Sequence, residues 1–142
     1  MSIPILTLLV LVPLFGAAAV SFLAKTNEAL VKNVALVSSI ATGLLSVWML
    51  IKFPTGSADF EFVSKHSWVS EWGISWHLGV DGISLFLVVL TGILFPLVIV
   101  GIDPHHDHKQ YMVWMLVLEA GVMGSFLSLD LFLFFVFFEI VL

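Results

Sequence analysis

The chain has 142 residues, 61% of them hydrophobic and 11% charged, with a net charge of -5 and no cysteine. A soluble domain carries about 25% charged residues, so the charge deficit and the long uncharged runs describe an integral membrane protein. The lack of cysteine excludes disulfides and cysteine-held iron–sulfur clusters on this chain, and the lack of arginine or any basic run excludes a nucleic-acid track.

Residues 3–24 form the first apolar run. No basic residue precedes it, and it is longer than the core of a signal peptide, so it reads as a retained transmembrane helix. Pro13 lies inside it and frees the carbonyl of Leu9, a loss that neighbouring helices tolerate. Residues 25–33 make a short polar connection, and residues 34–51 a second helix between Lys32 and Lys52. Ser39, Thr42, Gly43 and Ser46 share one face of it, a small-residue stripe suited to close helix packing and read here as packing alone.

Residues 53–81 are the one long extramembrane loop. Trp72 to Leu78 alternates apolar with small or polar residues, a strand pattern. Trp68, Trp72 and Trp76 suit an interfacial belt, and His66 and His77 read as interfacial polar residues rather than metal ligands. Residues 82–102 form the third helix, with Asp81 favoured at its positive N-terminal end and Pro96 bending it. In the following loop, His105, His106 and His108 sit near Asp103 and Asp107 without a scaffolded spacing. Histidine enrichment is compositional evidence only, and no metal site is assigned.

Residues 111–128 form the fourth helix. Carried on to Leu142 it would be about 48 Å long, well beyond the ~30 Å hydrocarbon core, so a break is required. Ser128-Leu129-Asp130 is the polar spot that can supply it. The fifth helix, 130–142, is then about 20 Å long and incomplete as a span. The expectation is an all-α polytopic membrane protein, 1–142 being a single transmembrane domain fragment from the N-terminal part of a longer or split protein. Lys25, Lys32 and Lys109 fall on one side and Lys52 and Lys65 on the other. That bias puts residues 25–33 and 103–110 on the cytoplasmic side and 53–81 outside.

Two carboxylates fall near mid-membrane, Glu119 on the fourth helix and Glu139 on the fifth. A carboxylate at the bilayer centre costs on the order of a few kcal/mol, and such groups normally face a bundle interior or a hydrated path and mark proton or ion routes. A carboxyl group's proton affinity responds to desolvation and to a neighbouring cation, as a relay requires. Gly121, Ser125 and Ser128 make a packing face from which Glu119 points away, beside Met115 and Met123. Glu119 is equally consistent with a relay and with a hydrogen bond that glues two helices. Glu139 shares its face with Phe132, Phe135 and Val136 and is read as functional.

Three stretches carry a family resemblance. His77-Leu78-Gly79-Val80-Asp81-Gly82-Ile83-Ser84-Leu85 resembles the start of the third helix in the chain M (chain 4) family of proton-pumping NADH:quinone oxidoreductase, respiratory complex I. Glu119-Ala120-Gly121-Val122-Met123-Gly124 and the run from Asp130 to Glu139 are similar to the same family in the same order. The sibling chain L and the related cation/proton antiporters usually carry Trp-Glu where this chain has Phe138-Glu139.

The resemblance implies a larger fold of about fourteen helices built from inverted repeats. It implies that Glu139 is the glutamate of the fifth helix that couples to a lysine two helices later. It further implies a proton-translocating subunit of a translocase, with Glu139 in the proton path and no cofactor or redox centre on this chain; Glu119 stands beside it as a second candidate from its depth alone. NADH, FMN, iron–sulfur clusters and quinone belong to the whole complex. The implied partners are adjacent antiporter-like membrane-arm chains and the lipid bilayer, and the implied location is a bacterial inner membrane. Two alternatives stand beside this one: a subunit of a multisubunit cation/proton antiporter, and a non-functional truncated membrane fragment. Neighbouring redox-module genes, or antiporter genes in their place, separate the first two readings.

Overall fold

The structure, a computed structural model, describes residues 5–56, 59–103 and 106–142. The chain runs α1 (Ile5–Ser21), α2 (Glu28–Lys52), β1 (Glu61–Val69), a single 3-10 turn (Ser70–Trp72), β2 (Ile74–Val80), α3 (Gly82–Gly101), α4 (His108–Leu127) and α5 (Leu131–Val141). It is an all-α membrane fold with one small two-stranded sheet. Helices α2, α3 and α4 are long and apolar enough to cross a membrane, and α1 and α5 are shorter apolar helices.

Several element bounds differ from those expected. Helix α1 is described from Ile5 and ends at Ser21 rather than residue 24, and residues 3 and 4 lie outside the described part. Helix α2 begins at Glu28, six residues before the apolar run. Asn27 caps it by accepting a hydrogen bond from the Leu30 amide at 3.2 Å. Glu28 in the first turn and Lys52 in the last complement the helix dipole, so polar residues extend the helix past its apolar segment. Helix α4 begins at His108, and the Ser128–Asp130 junction separates α4 from α5. Pro13 and Pro96 are accommodated inside continuous helices.

The loop 53–81 is not an open loop. Its second half is an antiparallel hairpin in which His66 faces Trp76 and Ser67 faces Ser75. The strand pattern expected from Trp72 starts instead at Ile74, because Trp72 belongs to the 3-10 turn and Gly73 reverses the chain at φ 69°. The partner strand β1 escapes a hydropathy reading because most of its residues are exposed. The hairpin lies across the ends of the helices. The Leu129 amide donates to the His77 carbonyl at 2.8 Å, and the Trp76 indole N–H donates to Thr7 Oγ1 at 3.2 Å. The Trp76 ring meets Phe137 edge-on at 5.7 Å.

Two apolar clusters fill the bundle at different heights. The one beneath the hairpin holds Leu6, Leu9, Val10, Met49, Leu78, Val88, Met123, Leu127 and Phe137. The one at the opposite end holds Ala17, Val20, Val31, Ala35, Ile99, Met112 and Leu116. At that opposite end the α1–α2 and α3–α4 connections meet: Lys25, Glu28, Asp107, His108 and Lys109 line one pocket, and Lys32 Nζ donates to the Val100 carbonyl at 3.3 Å. Three of the five lysines are therefore gathered at one end of the bundle.

Candidate functional site

The site follows from two helical stripes. On α4, Met112, Leu116, Glu119, Met123 and Leu127 recur at helical spacing, and all are fully buried. On α2, Val31, Ala35, Ser39, Thr42, Ser46 and Met49 do the same. Each stripe is apolar at both ends and polar in the middle. Leu116 lies in one apolar cluster and Met123 in the other, as do Ala35 and Met49. Glu119 and the α2 hydroxyls thus form a polar layer between two greasy ones.

Within that layer Ser39 Oγ donates to Glu119 Oε1 at 3.3 Å. The second carboxyl oxygen, Oε2, is buried with no hydrogen-bond partner among the described residues. A buried polar atom left unpaired is costly, so Glu119 is the candidate functional group of this layer. The remaining α2 hydroxyls behave differently: Thr42 donates to the Ser38 carbonyl and Ser46 to the Gly43 carbonyl, both on their own helix. Around Gly43 the stripe does serve close packing, because a Cβ there would run into the carbonyl oxygen of Gly92 on α3.

The opposite side of α4 carries α5. Gly121 lies against Ile140 and Val141, and Gly124 against the Phe137 ring. Of the packing face expected from the sequence, Gly121 meets α5, while Ser125 and Ser128 donate to the Gly121 and Gly124 carbonyls of their own helix; Gly124 joins the contact, and Glu119 is turned away from it.

Glu139 is placed otherwise than expected. Its depth predicts a group facing the bundle interior, yet it lies exposed on the outer face of α5, together with Phe132 and Phe135. Helical geometry accounts for this: Leu133 and Phe137 face inward, and Glu139, two residues past Phe137, is rotated by about 200° from it. Glu119 and Glu139 are each eight residues from the α4–α5 junction, about 12 Å along their helices. They share a depth but not a site: one points into the bundle, the other out of it.

The remaining candidates stay apart from this layer. Asp81 caps α3 by accepting from the Ser84 amide at 2.8 Å, and that hydrogen bond holds its carboxyl below the ordinary range. His66 is exposed on β1 and His77 half-buried on β2. His108 is buried, with Nε2 3.9 Å from Asp103. Pro104 and His105 lie outside the described residues. Among the described residues no three histidine or acidic side chains group to hold a metal.

Ser39 is the site residue that sequence reasoning assigned to packing. The available signal was a hydroxyl in the middle of a buried stripe, at the depth where another helix carries a lone carboxylate.

Fold and site together define a polytopic helical membrane chain with a carboxyl group held inside its helix bundle. No family model matches the chain. Over its whole length it is 32% identical to NADH-quinone oxidoreductase subunit M of Rickettsia prowazekii (strain Madrid E). Over 94% of its length it is 37% identical to NADH-ubiquinone oxidoreductase chain 4 of Arabidopsis thaliana. Over 95% it is 36% identical to subunit M of Rhodobacter capsulatus. What this chain resembles is thus subunit M (chain 4) of NADH:quinone oxidoreductase, as its motifs indicated. The chain spans less than a third of the length of these relatives.

Proposed function

We propose that this chain forms the first helices of a proton-translocating membrane-arm subunit of NADH:quinone oxidoreductase, in which electron transfer from NADH to quinone drives protons along a path that includes the buried Glu119 and the outward-facing Glu139. The observation that carries this reading is the similarity to subunit M and chain 4 along the whole chain. The polar layer supports it independently. Helices α1 and α3 contain no titratable residue, and those of α2 and the first turn of α4 lie at helix ends, leaving Glu119 as the one titratable group in the interior of these four helices.

In this reading Glu119 takes up and releases a proton at its carboxyl group, with Ser39 bonded to one oxygen and the other free of protein partners among the described residues. Glu139 addresses a cationic side chain outside the five helices, from the outer face of α5. A cation near a carboxyl favours its ionised form, and withdrawal of that cation favours proton uptake. The chain itself contributes no redox cofactor; NADH, FMN, iron–sulfur clusters and quinone act elsewhere in the complex. Its partners are the adjacent antiporter-like chains and the bilayer, and its location is a bacterial inner membrane.

The test is NADH-driven proton uptake by vesicles from cells carrying the natural gene product, before and after deletion of its gene. Loss of uptake and of coupled quinone reduction is expected. Retention of both, with loss of cation/proton exchange, transfers the chain to the antiporters.

A further inference from the structure

We infer that Ser39 is a positioning residue for Glu119: its hydroxyl orients the carboxyl group within the polar layer and thereby sets how readily protons pass through it. The inference deepens the function proposed above and rests on it.

Several observations converge on Ser39. It is fully buried, and among the described residues it is the point where the polar stretch of the α2 stripe reaches across to the α4 stripe. Of the stripe hydroxyls, Thr42 and Ser46 are turned back on their own helix, so neither replaces it. Among the described residues the carboxyl group therefore depends on one donor, and that donor sits on a different helix. A group with one bonded and one unbonded oxygen is held in orientation by the bonded one, with the other left to exchange protons. Ser39 and Glu119 lie between two apolar clusters, each of which joins α2 to α4, so the packing above and below holds the two side chains at the 3.3 Å spacing of their bond.

The experiment uses the full-length natural protein in its own membranes, with uptake normalised to assembled subunit. Ser39→Ala is expected to assemble normally, since alanine fits a serine site in a helix. It should lower NADH-driven proton uptake about fivefold, the size of one neutral hydrogen bond. It should also displace the pH profile of uptake, and the infrared carboxyl band that disappears in Glu119→Gln should change frequency. Ser39→Thr, which keeps the hydroxyl, should restore rate, profile and band. A merely structural serine predicts altered assembly with an unmoved profile and band. Wild-type uptake in Ser39→Ala, with uptake lost in Glu119→Gln, overturns the role of Ser39 and leaves Glu119 standing. Wild-type uptake in both variants overturns the inference and removes Glu119 from the proposed function as well. Should Ser39→Ala not assemble, Ser39→Cys, a weak donor of similar size, is expected to show an intermediate loss, and full uptake there overturns the inference.

Discussion

The Ser75 amide donates to Asp130 Oδ2 at 3.2 Å, joining the hairpin to the first turn of α5. The other oxygen of the same carboxylate accepts from the amides of Phe132 at 2.9 Å and Leu133 at 3.2 Å, capping α5. One side chain thus sets both where the last helix starts and where the hairpin rests. Desolvation works against the charge on Asp130, yet the Ser75, Leu133 and Phe132 amides hold its carboxyl below the ordinary value of 3.8.

A lowered folded value means that this anchor contributes stability above the unfolded carboxylate's range and loses it as pH falls through the folded value. Hairpin docking should therefore be insensitive to pH from neutrality down to about pH 4 and weaken below it. Trp76, held between Thr7 and Phe137, reports the event by its fluorescence. Asp130→Ala should lower thermal stability in detergent by about 1 kcal/mol through the lost cap. It should also make docking independent of pH in that window. A pH response unchanged by Asp130→Ala would assign the effect elsewhere.

Gly43 and Gly92 hold α2 and α3 in backbone contact. Gly43→Val should force the helices apart at a cost of about 1–3 kcal/mol or more, since a carbonyl cannot move aside as a flexible side chain can. Loss of stability on heating in detergent measures it. Gly82→Ala, where an added methyl meets nothing within 4 Å, is the control and should be near neutral.

The lysines gathered at the end shared by the α1–α2 and α3–α4 connections predict that this end faces the cytoplasm. A membrane-impermeant thiol reagent applied outside cells should label Thr55→Cys and spare His106→Cys, both exposed positions. The reverse pattern inverts the topology.

Glu139→Gln preserves shape and hydrogen-bonding capacity on the outer face of α5, so assembly of the full-length protein should be normal. Most NADH-driven proton uptake should nevertheless disappear, and coupled quinone reduction should slow. Glu139→Asp should retain part of both. Normal pumping by an assembled Glu139→Gln protein would make this glutamate structural.

Helix content was legible because hydropathy and length suffice when the solvent is lipid: an uncharged run near 20 residues has few other ways to satisfy its backbone. The break near Ser128–Asp130 follows from the same arithmetic. The depth of Glu119 and Glu139 also follows from counting, since rise per residue is constant. Strand β1 did not show itself, because a strand exposed on most of its length has no hydrophobic period to read, and its pairing with β2 is non-local. The early start of α2 was hidden for a related reason: Asn27 caps a helix whose first turns need no apolar residues.

The residues alone determined that the chain is a bundle of membrane helices, that two carboxylates lie near mid-membrane, and which family it resembles. The tertiary structure decided the facing of those carboxylates. Helical periodicity offers every carboxylate a face, but the neighbours that cover the face come from elsewhere in the chain. Glu119 turns toward Ser39, 80 residues earlier, because α5 occupies the glycine face of α4. Glu139 turns outward because Leu133 and Phe137 take the inner face of α5. Which residue meets which depends on how the helices pack, and that is a property of the whole bundle rather than of any one stretch.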